Sequence, residues 1–129
     1  MSDVVVVTNT GFAKITDLLA SVTTVTPHWI GWGEGGYYAT PTHEDTSLGY
    51  ETQEPRTVGT VSQTTTTHTN DTYKVTGQIT AINLTKTIDE VGLFSHLTTG
   101  NLSLHAAFTP IIAYVGDTIT FEIRIKFGP

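Results

Sequence analysis

The sequence lacks cysteine, has few charged residues and contains no long apolar run. The absence of cysteine among 129 residues excludes disulfides, thiolate nucleophiles, iron–sulfur clusters and thiolate zinc sites. Only 14% of the residues are charged, and the net charge of −6 opposes binding to a polyanion such as nucleic acid. No apolar run approaches the roughly 18 residues of a membrane span, and the first residues lack the basic and apolar regions of a signal peptide. We therefore expect a protein that folds in the cytosol and binds neither nucleic acid nor membrane.

Threonine, by contrast, is abundant, with 27 of the 129 residues. Because its side chain is β-branched, threonine suits a pleated strand better than a helix. The low charged fraction means that Thr, Ser, Gln and Asn must cover the solvent-facing positions, as is typical of antiparallel β proteins. The composition predicts an all-β fold in a single domain spanning residues 1–129. Residues 1–26 form an N-terminal strand and helix segment of this domain, and residues 27–127 form its β core.

Hydrophobic periodicity places the elements. One short helix is predicted over residues 11–21, where Phe12, Ile15, Leu18 and Leu19 share a face. The clearest strand covers residues 118–127, in which apolar and polar residues alternate strictly. Turn signals recur about every ten residues, which favours a sandwich or barrel, and a jelly-roll-like antiparallel β-sandwich of two sheets packed face to face is the preferred architecture. The other predicted strands are residues 4–7, 28–30, 57–69, 73–82, 87–95 and 102–108.

Residues 39–55 read as a long loop and form the most acidic part of the chain. The run His43-Glu44-Asp45 lies in it, and loop carboxylates can bind a hard cation. A cupin-like metal-binding protein is therefore one alternative, although the chain has no His-x-His pair on which such a site depends. There is no Gly-x-Ser-x-Gly elbow, and no spacing selects a pair of carboxylates for glycoside chemistry. We expect no enzymatic activity and no cofactor.

Five aromatic residues cluster around four glycines and the acidic loop. Three interpretations stay open for them: burial in the core, a protein interface, or stacking on a carbohydrate. These residues are Trp29, Trp32, Tyr37, Tyr38 and Tyr50.

Six phrases in order resemble small structural proteins of tailed bacteriophages and related tailed viruses, most of all head decoration (cement) proteins. They are HWIGWGEGG, ETQEPRTVGT, NDTYKVTGQITA, TIDEVGLFS, GNLSLHAAFTPI and GDTITFEIRIKF, and together they span about residues 28–127. A phrase similar to TIDEVGLF also appears in tail-collar and fibre proteins. A tail or fibre component that touches host glycans is therefore the first alternative.

The resemblance implies a jelly-roll-like viral structural protein that binds the outside of an assembled capsid and stabilises it. Its partner would be the major capsid protein, its oligomeric state often a homotrimer, and its location the capsid surface of a virion assembled in the host cytoplasm. Such a protein has no catalytic residues. Threonine-rich strand edges resist aggregation poorly, so we expect them to be paired in an oligomer. The residues predicted to contact the partner are Trp32, Tyr37, Tyr38, His43, Glu44 and Tyr50, within an aromatic segment and the loop over residues 42–50.

Overall fold

A computed structural model describes residues 4–35 and 40–128 of the chain. In this part the chain forms eight strands and one helix near the N-terminus. The elements, in order, are β1 (Val4–Val7), α1 (Asn9–Leu19), β2 (Trp29–Gly33), β3 (Thr57–Val58), β4 (Thr60–Thr64), β5 (Thr72–Thr80), β6 (Lys86–Phe94), β7 (Leu102–Ala113) and β8 (Thr118–Lys126).

The strands form two antiparallel sheets of unequal width. The larger sheet has five strands in the order β1-β7-β6-β2-β3, and the smaller sheet has three in the order β4-β5-β8. Side chains from both sheets meet in one apolar core, where the rings of Trp32 and Phe121 make an edge contact with centroids 6.3 Å apart. The prediction of an all-β sandwich of two face-to-face sheets with one short N-terminal helix is confirmed. The predicted core residues of β6 are all buried: Ile88, Val91, Leu93 and Phe94.

The chain passes from one sheet to the other at Gly59, so the prediction of one strand over residues 57–69 was wrong. β3 pairs with β2 in the larger sheet, and β4 pairs with β5 in the smaller sheet. A Cβ atom on Gly59 would lie 2.3 Å from Cγ1 of Val75, so only glycine allows this close crossing. Residues 65–71 form a turn, in which the Asp71 carboxylate accepts hydrogen bonds from three backbone N–H groups.

Helix α1 begins two residues earlier than predicted and is only partly covered. Thr8 caps it by accepting a hydrogen bond from the N–H of Gly11 at 3.1 Å. Gly11 lies directly against β7, since a Cβ atom there would be 2.1 Å from the carbonyl oxygen of Ser103. Of the predicted apolar face, Ile15 and Leu18 are half-buried, whereas Phe12 and Leu19 are exposed. The helix therefore closes one end of the sandwich, and only part of its apolar face is buried.

Candidate functional site

The long connection between β2 and β3 carries most of the predicted contact residues and is the candidate site. It spans residues 34–56, of which 36–39 lie outside the described residues. Its backbone is attached to the larger sheet at several points: Gly33 forms a bridge with Glu51, and the N–H of Thr52 donates to the carbonyl of Trp32 at 3.2 Å. Leu48 packs in a small second core with Phe94 and Leu102. The described part of the connection, residues 34–35 and 40–56, therefore lies along the sheet as a packed layer.

The first cluster of charges fastening this layer is built around Glu90 of β6, whose side chain is fully buried. Its carboxylate accepts hydrogen bonds from the backbone N–H groups of Gly35, Gly49 and Tyr50 at 3.0, 2.8 and 2.8 Å. It also accepts one from Nε2 of His105 at 2.8 Å. One buried carboxylate thus ties two separate parts of the connection to the sheet. Such a group would be costly to bury without these donors.

His105 extends this cluster to the loop, because its Nδ1 lies 2.8 Å from Oδ2 of Asp45. Carboxylates only accept hydrogen bonds, so both ring nitrogens donate and the imidazole carries a positive charge. Burial lowers the pKa of His105, but the hydrogen bonds to Glu90 and Asp45 outweigh it and raise the pKa above its ordinary value. Burial raises the pKa values of Glu90 and Asp45, and their hydrogen bonds reverse this, so both end below the ordinary range. We call Asp45, His105 and Glu90 the carboxylate–imidazolium cluster.

A second cluster joins Glu54, near the C-terminal end of the connection, to Lys86 of β6. Nζ of Lys86 lies 2.5 Å from Oε2 of Glu54, and both side chains are buried. Oε1 of Glu54 also accepts hydrogen bonds from the indole N–H of Trp32 at 3.2 Å and from the hydroxyl of Thr52. Burial raises the pKa of Glu54, but Lys86 and these other donors lower it to about 2. The carboxylate is therefore held in its charged form.

A third cluster holds the end of the connection. The guanidinium of Arg56 makes two hydrogen bonds to the carboxylate of Glu51, at 2.9 and 3.0 Å. It donates to the carbonyls of His96 and Thr99, both at 3.0 Å. Its Cζ lies 3.4 Å from the ring centroid of Phe94, which is a cation–π contact. Arg56 thus joins the connection, strand β6 and the turn after β6.

The predicted contact residues fall into three groups: residues at the surface, residues outside the described part of the chain, and one buried residue. His43, Glu44 and Tyr50 lie at the surface of the connection, and Tyr50 is 63% exposed. His43 is held in place, since its Nδ1 lies 2.8 Å from the carbonyl of Val7 and its ring contacts Phe12. The predictions for Tyr37 and Tyr38 lie outside the described residues.

The prediction that Trp32 contacts a partner is corrected. Its side chain is 1% exposed and belongs to the core, and its one polar atom is used by Glu54. A residue in this position has no surface to offer. Of the interpretations left open for the aromatic residues, Trp32 therefore takes the first, burial in the core.

Sequence reasoning did not identify the residues that fasten the connection. Glu90 and His105 occur in segments read only as strands, Lys86 lies just before a predicted strand, and Glu54 was counted as one more loop carboxylate. One signal was present: the pair Asp89-Glu90 interrupts the apolar stretch from Ile88 to Phe94. Charged residues are almost never fully buried unless they are paired, so a charge in such a strand indicates a buried partner.

A second feature is an apolar groove of about 520 Å³ on the side of the sandwich away from β3. It exists because five strands face only three, so that part of the larger sheet has no strand opposite it. The groove is lined by β7 and β8, with Val5 of β1 at its rim. A smaller apolar cavity of about 150 Å³ lies under α1, next to Tyr73 and Ile125.

The described residues contain no group of three or more His, Asp or Glu side chains that could hold a metal ion. Within residues 4–35 and 40–128, no helix is long and apolar enough to cross a membrane. Comparisons of the chain with protein-family models, curated proteins and solved structures found no match. The function is therefore inferred from the residues of the chain and from the contacts that they make.

Proposed function

We propose that the chain is a non-enzymatic structural protein of a tailed-bacteriophage virion, which binds the outside of an assembled capsid and stabilises it. The partner is the major capsid protein, and the contact surface is the exposed side of the β2–β3 connection. The sequence resemblance supports the class of protein. The structure supports the surface, because the described residues of the connection, although they have little secondary structure, are fastened to the larger sheet by buried hydrogen bonds and ion pairs.

The fastening of the connection is the observation that carries this proposal. Three charge clusters, two of them largely buried, attach residues 45–56 to strands β6 and β7. A surface that is ordered before binding loses less conformational entropy on association than a mobile loop does. The polar atoms of the clusters are hydrogen-bonded within the protein, so a partner would contact the side chains at the surface of the connection. Of these, Tyr50 supplies an exposed aromatic ring and Glu44 an exposed charge.

A decoration protein gains from such a surface because a capsid offers many identical sites. Weak attachment at each site becomes tight when linked subunits bind together, without any new contact. Outward threonines on the smaller sheet, Thr80, Thr118 and Thr120, leave that face nearly free of the apolar patches that would cause association in solution. This outward face therefore does not promote aggregation before the protein meets the lattice.

Co-sedimentation with expanded capsids that lack this protein tests the proposal. We expect the wild-type protein to pellet with the capsids, to saturate at a fixed ratio to the major capsid protein, and to raise the temperature at which the capsids melt. No co-sedimentation and no change in melting temperature would overturn the proposal.

The surface itself is tested by a matched pair of tyrosine variants. Tyr50→Ala removes an exposed ring from the connection, and Tyr114→Ala removes one of nearly equal exposure, 60% against 63%, from the turn before β8. We expect Tyr50→Ala to weaken capsid binding about tenfold, the loss of an interface aromatic, and Tyr114→Ala to leave it unchanged. Equal effects would show that the connection is not the contact surface.

A tail or fibre component that binds host glycans is the second candidate. The exposed ring of Tyr50 favours it, since aromatic faces beside a rigid backbone stack on sugars. Electron cryomicroscopy of the virion separates the two candidates by location. Density on the tail alone, together with glycan binding that Tyr50→Ala abolishes, would replace the capsid proposal.

A further inference from the structure

The free edges of the two sheets differ greatly in length. Among the described strands, β1, β3, β4 and β8 lie at edges, and they contain four, two, five and nine residues. Very short edge strands are one way in which proteins prevent unwanted pairing, and prolines and bulges are others. β8 has none of these features, because it contains no proline and pairs with β5 without interruption from Thr118 to Lys126. Charged side chains also protect edges, and β8 carries Glu122, Arg124 and Lys126, but their signs are mixed, so a strand with complementary charges can still pair with it. β8 is therefore the edge best suited to accept another strand.

The inward side chains of β8 are incompletely covered. Ile119, Phe121 and Ile125 are half-buried, and Phe127, just after the strand, is 48% exposed. The apolar groove runs beside this edge, between β8 and the uncovered part of β7. A strand added next to β8 would direct its own inward side chains into the groove. Such a strand must therefore alternate apolar and polar residues, as β8 itself does.

The outward side chains of β8 specify which strand fits. Glu122 and Arg124 lie on the solvent face, with Oε2 of Glu122 3.0 Å from Nη2 of Arg124. If two copies of β8 pair antiparallel around a two-fold axis at Ile123, Glu122 of each copy lies opposite Arg124 of the other. A shift by two residues would place Glu122 opposite Glu122, or Arg124 opposite Arg124. The shift that places Arg124 opposite Arg124 also places Glu122 opposite Lys126, so it combines attractive and repulsive pairs. Opposite charges across strands stabilise the pair and like charges destabilise it, so of these three registers the one centred on Ile123 is the one that contains opposite-charge pairs and no like-charge pair.

We propose that two copies of the chain pair through their β8 edges in this register and join their three-stranded sheets into one sheet of six strands. Ile123 lies opposite Ile123 of the second copy, Phe121 opposite Ile125, and Ile119 opposite Phe127. The pairing satisfies the free backbone groups of β8 and covers the groove with the apolar face of the second copy. The interface is isologous, as in most two-fold dimers. It does not depend on capsid binding, and it makes the assembly unit a dimer, whereas the resemblance implies a trimer.

Two single variants and their mixture test the register. Glu122→Arg places Arg opposite Arg124 in the homodimer, and Arg124→Glu places Glu opposite Glu122. In sedimentation-velocity experiments on the full chain we expect wild-type dimers and an increase of about tenfold in the dissociation constant of each variant. An equimolar mixture of the two variants restores the opposite charges at both positions. We therefore expect the mixture to form heterodimers about as tightly as the wild type forms homodimers.

The double variant Glu122→Arg/Arg124→Glu should dimerise like the wild type, and Glu44→Arg, which makes the same charge change in the β2–β3 connection, should not affect dimerisation. Melting temperatures of all variants confirm that each is folded. A wild type that stays monomeric at every concentration would overturn the proposal, as would single variants that dimerise normally. A mixture that forms no more dimer than either variant alone would overturn the register.

Discussion

Strands β6 and β8 each have nine residues, yet their surroundings are opposite. β6 buries eight of its nine residues, although it carries Lys86, Asp89 and Glu90. β8 buries one, Ile123, although it has the most regular alternation of apolar and polar residues in the chain. β6 lies between β7 and β2, with the smaller sheet on one face and the β2–β3 connection on the other. β8 lies at an edge, with a neighbour on one side only.

The contrast shows that neighbours determine how deeply a strand is buried. The buried charges of Lys86 and Glu90 are tolerated because each has a partner of opposite charge. Lys86 pairs with Glu54 and donates to two backbone carbonyls, and Glu90 pairs with His105. A buried ion pair adds little net stability, but removing one partner is costly because the other remains buried and uncompensated. In β8, by contrast, most of the apolar side chains are only half-buried, because no strand or loop of the described chain covers part of their surface. The following experiments test this difference.

The largest effect is expected when the carboxylate of Glu90 is removed. Glu90→Ala leaves Nε2 of His105 and three backbone N–H groups without their acceptor inside the protein, and His105 keeps only its contact with Asp45. We expect the free energy of unfolding to fall by about 3–5 kcal/mol, measured by urea denaturation. Glu122→Ala is the matched change on β8 and should cost less than about 1 kcal/mol, because its ion pairs are exposed. Equal losses for the two variants would contradict the contrast between the strands.

The pH dependence of stability follows from the same clusters. The pKa values of Asp45, Glu54 and Glu90 lie below their ordinary values of 3.8 and 4.5, so their contribution is present above those values and is lost as the pH falls through the folded pKa. For Glu54 the shift from 4.5 to about 2 corresponds to about 3 kcal/mol. The pKa of His105 is raised above 6.5, so its contribution is present below 6.5 and is lost as the pH rises through the folded pKa. Stability should therefore be greatest between pH 4.5 and 6.5.

Urea midpoints measured from acidic to alkaline pH check this profile. His105→Gln should remove most of the decline on the alkaline side, because it removes the group that titrates there. His68→Gln changes an exposed histidine in the turn before β5 and should leave the profile unchanged. An alkaline decline that persists in His105→Gln would assign it to another group.

A smaller effect is expected at Gly92, where the connection covers the outer face of β6. A Cβ atom at this position would lie 2.4 Å from Cδ1 of Leu102 and 2.9 Å from Cδ2 of Leu48. Gly92→Ala should therefore lower the free energy of unfolding by about 1–3 kcal/mol through overpacking. Thermal denaturation measures the loss. An unchanged or raised melting temperature would show that the connection is packed loosely on this face.

The smallest effect is expected on the outward face of β8. Thr120 is exposed, and Thr120→Ala removes only the β-branched side chain that favours the strand. We expect a loss of no more than about 0.5 kcal/mol in dilute solution. A loss comparable to that of Gly92→Ala would mean that this face is covered in the folded monomer.

The sequence predicted the elements best where alternation or turn chemistry is local. The bounds of β5, β6 and β8 were correct to within one or two residues, because each strand shows apolar spacing and ends near a turn signal. β7 was predicted to end at residue 108 but continues to Ala113. Pro110 cannot donate a backbone hydrogen bond and therefore argued against a longer strand. In the structure it lies at a β-bulge in the β6–β7 pairing, between the pairs Ile88–Ile111 and Glu90–Ala107, and such an irregularity accommodates a proline.

The candidate site was predictable only in part. His43, Glu44 and Tyr50 were placed on an acidic loop, and they lie at its surface. The sequence could not show that the same loop is fastened by Glu90 and His105, since these two residues are 15 positions apart and meet only because β6 and β7 are neighbours. Trp32 was misassigned because the local sequence, an aromatic residue among glycines, is the same for an exposed loop and for a buried strand.

The sequence by itself determined the class of fold. Its β-branched residues, alternating strands and turn residues require two-sided sheets, and those requirements are local properties of the chain. Only the tertiary structure decided which strands became central and which remained at an edge, and therefore which charges are buried in pairs and which apolar residues stay partly open. Those outcomes depend on which segments lie side by side, and the distance between two residues in the sequence does not specify that.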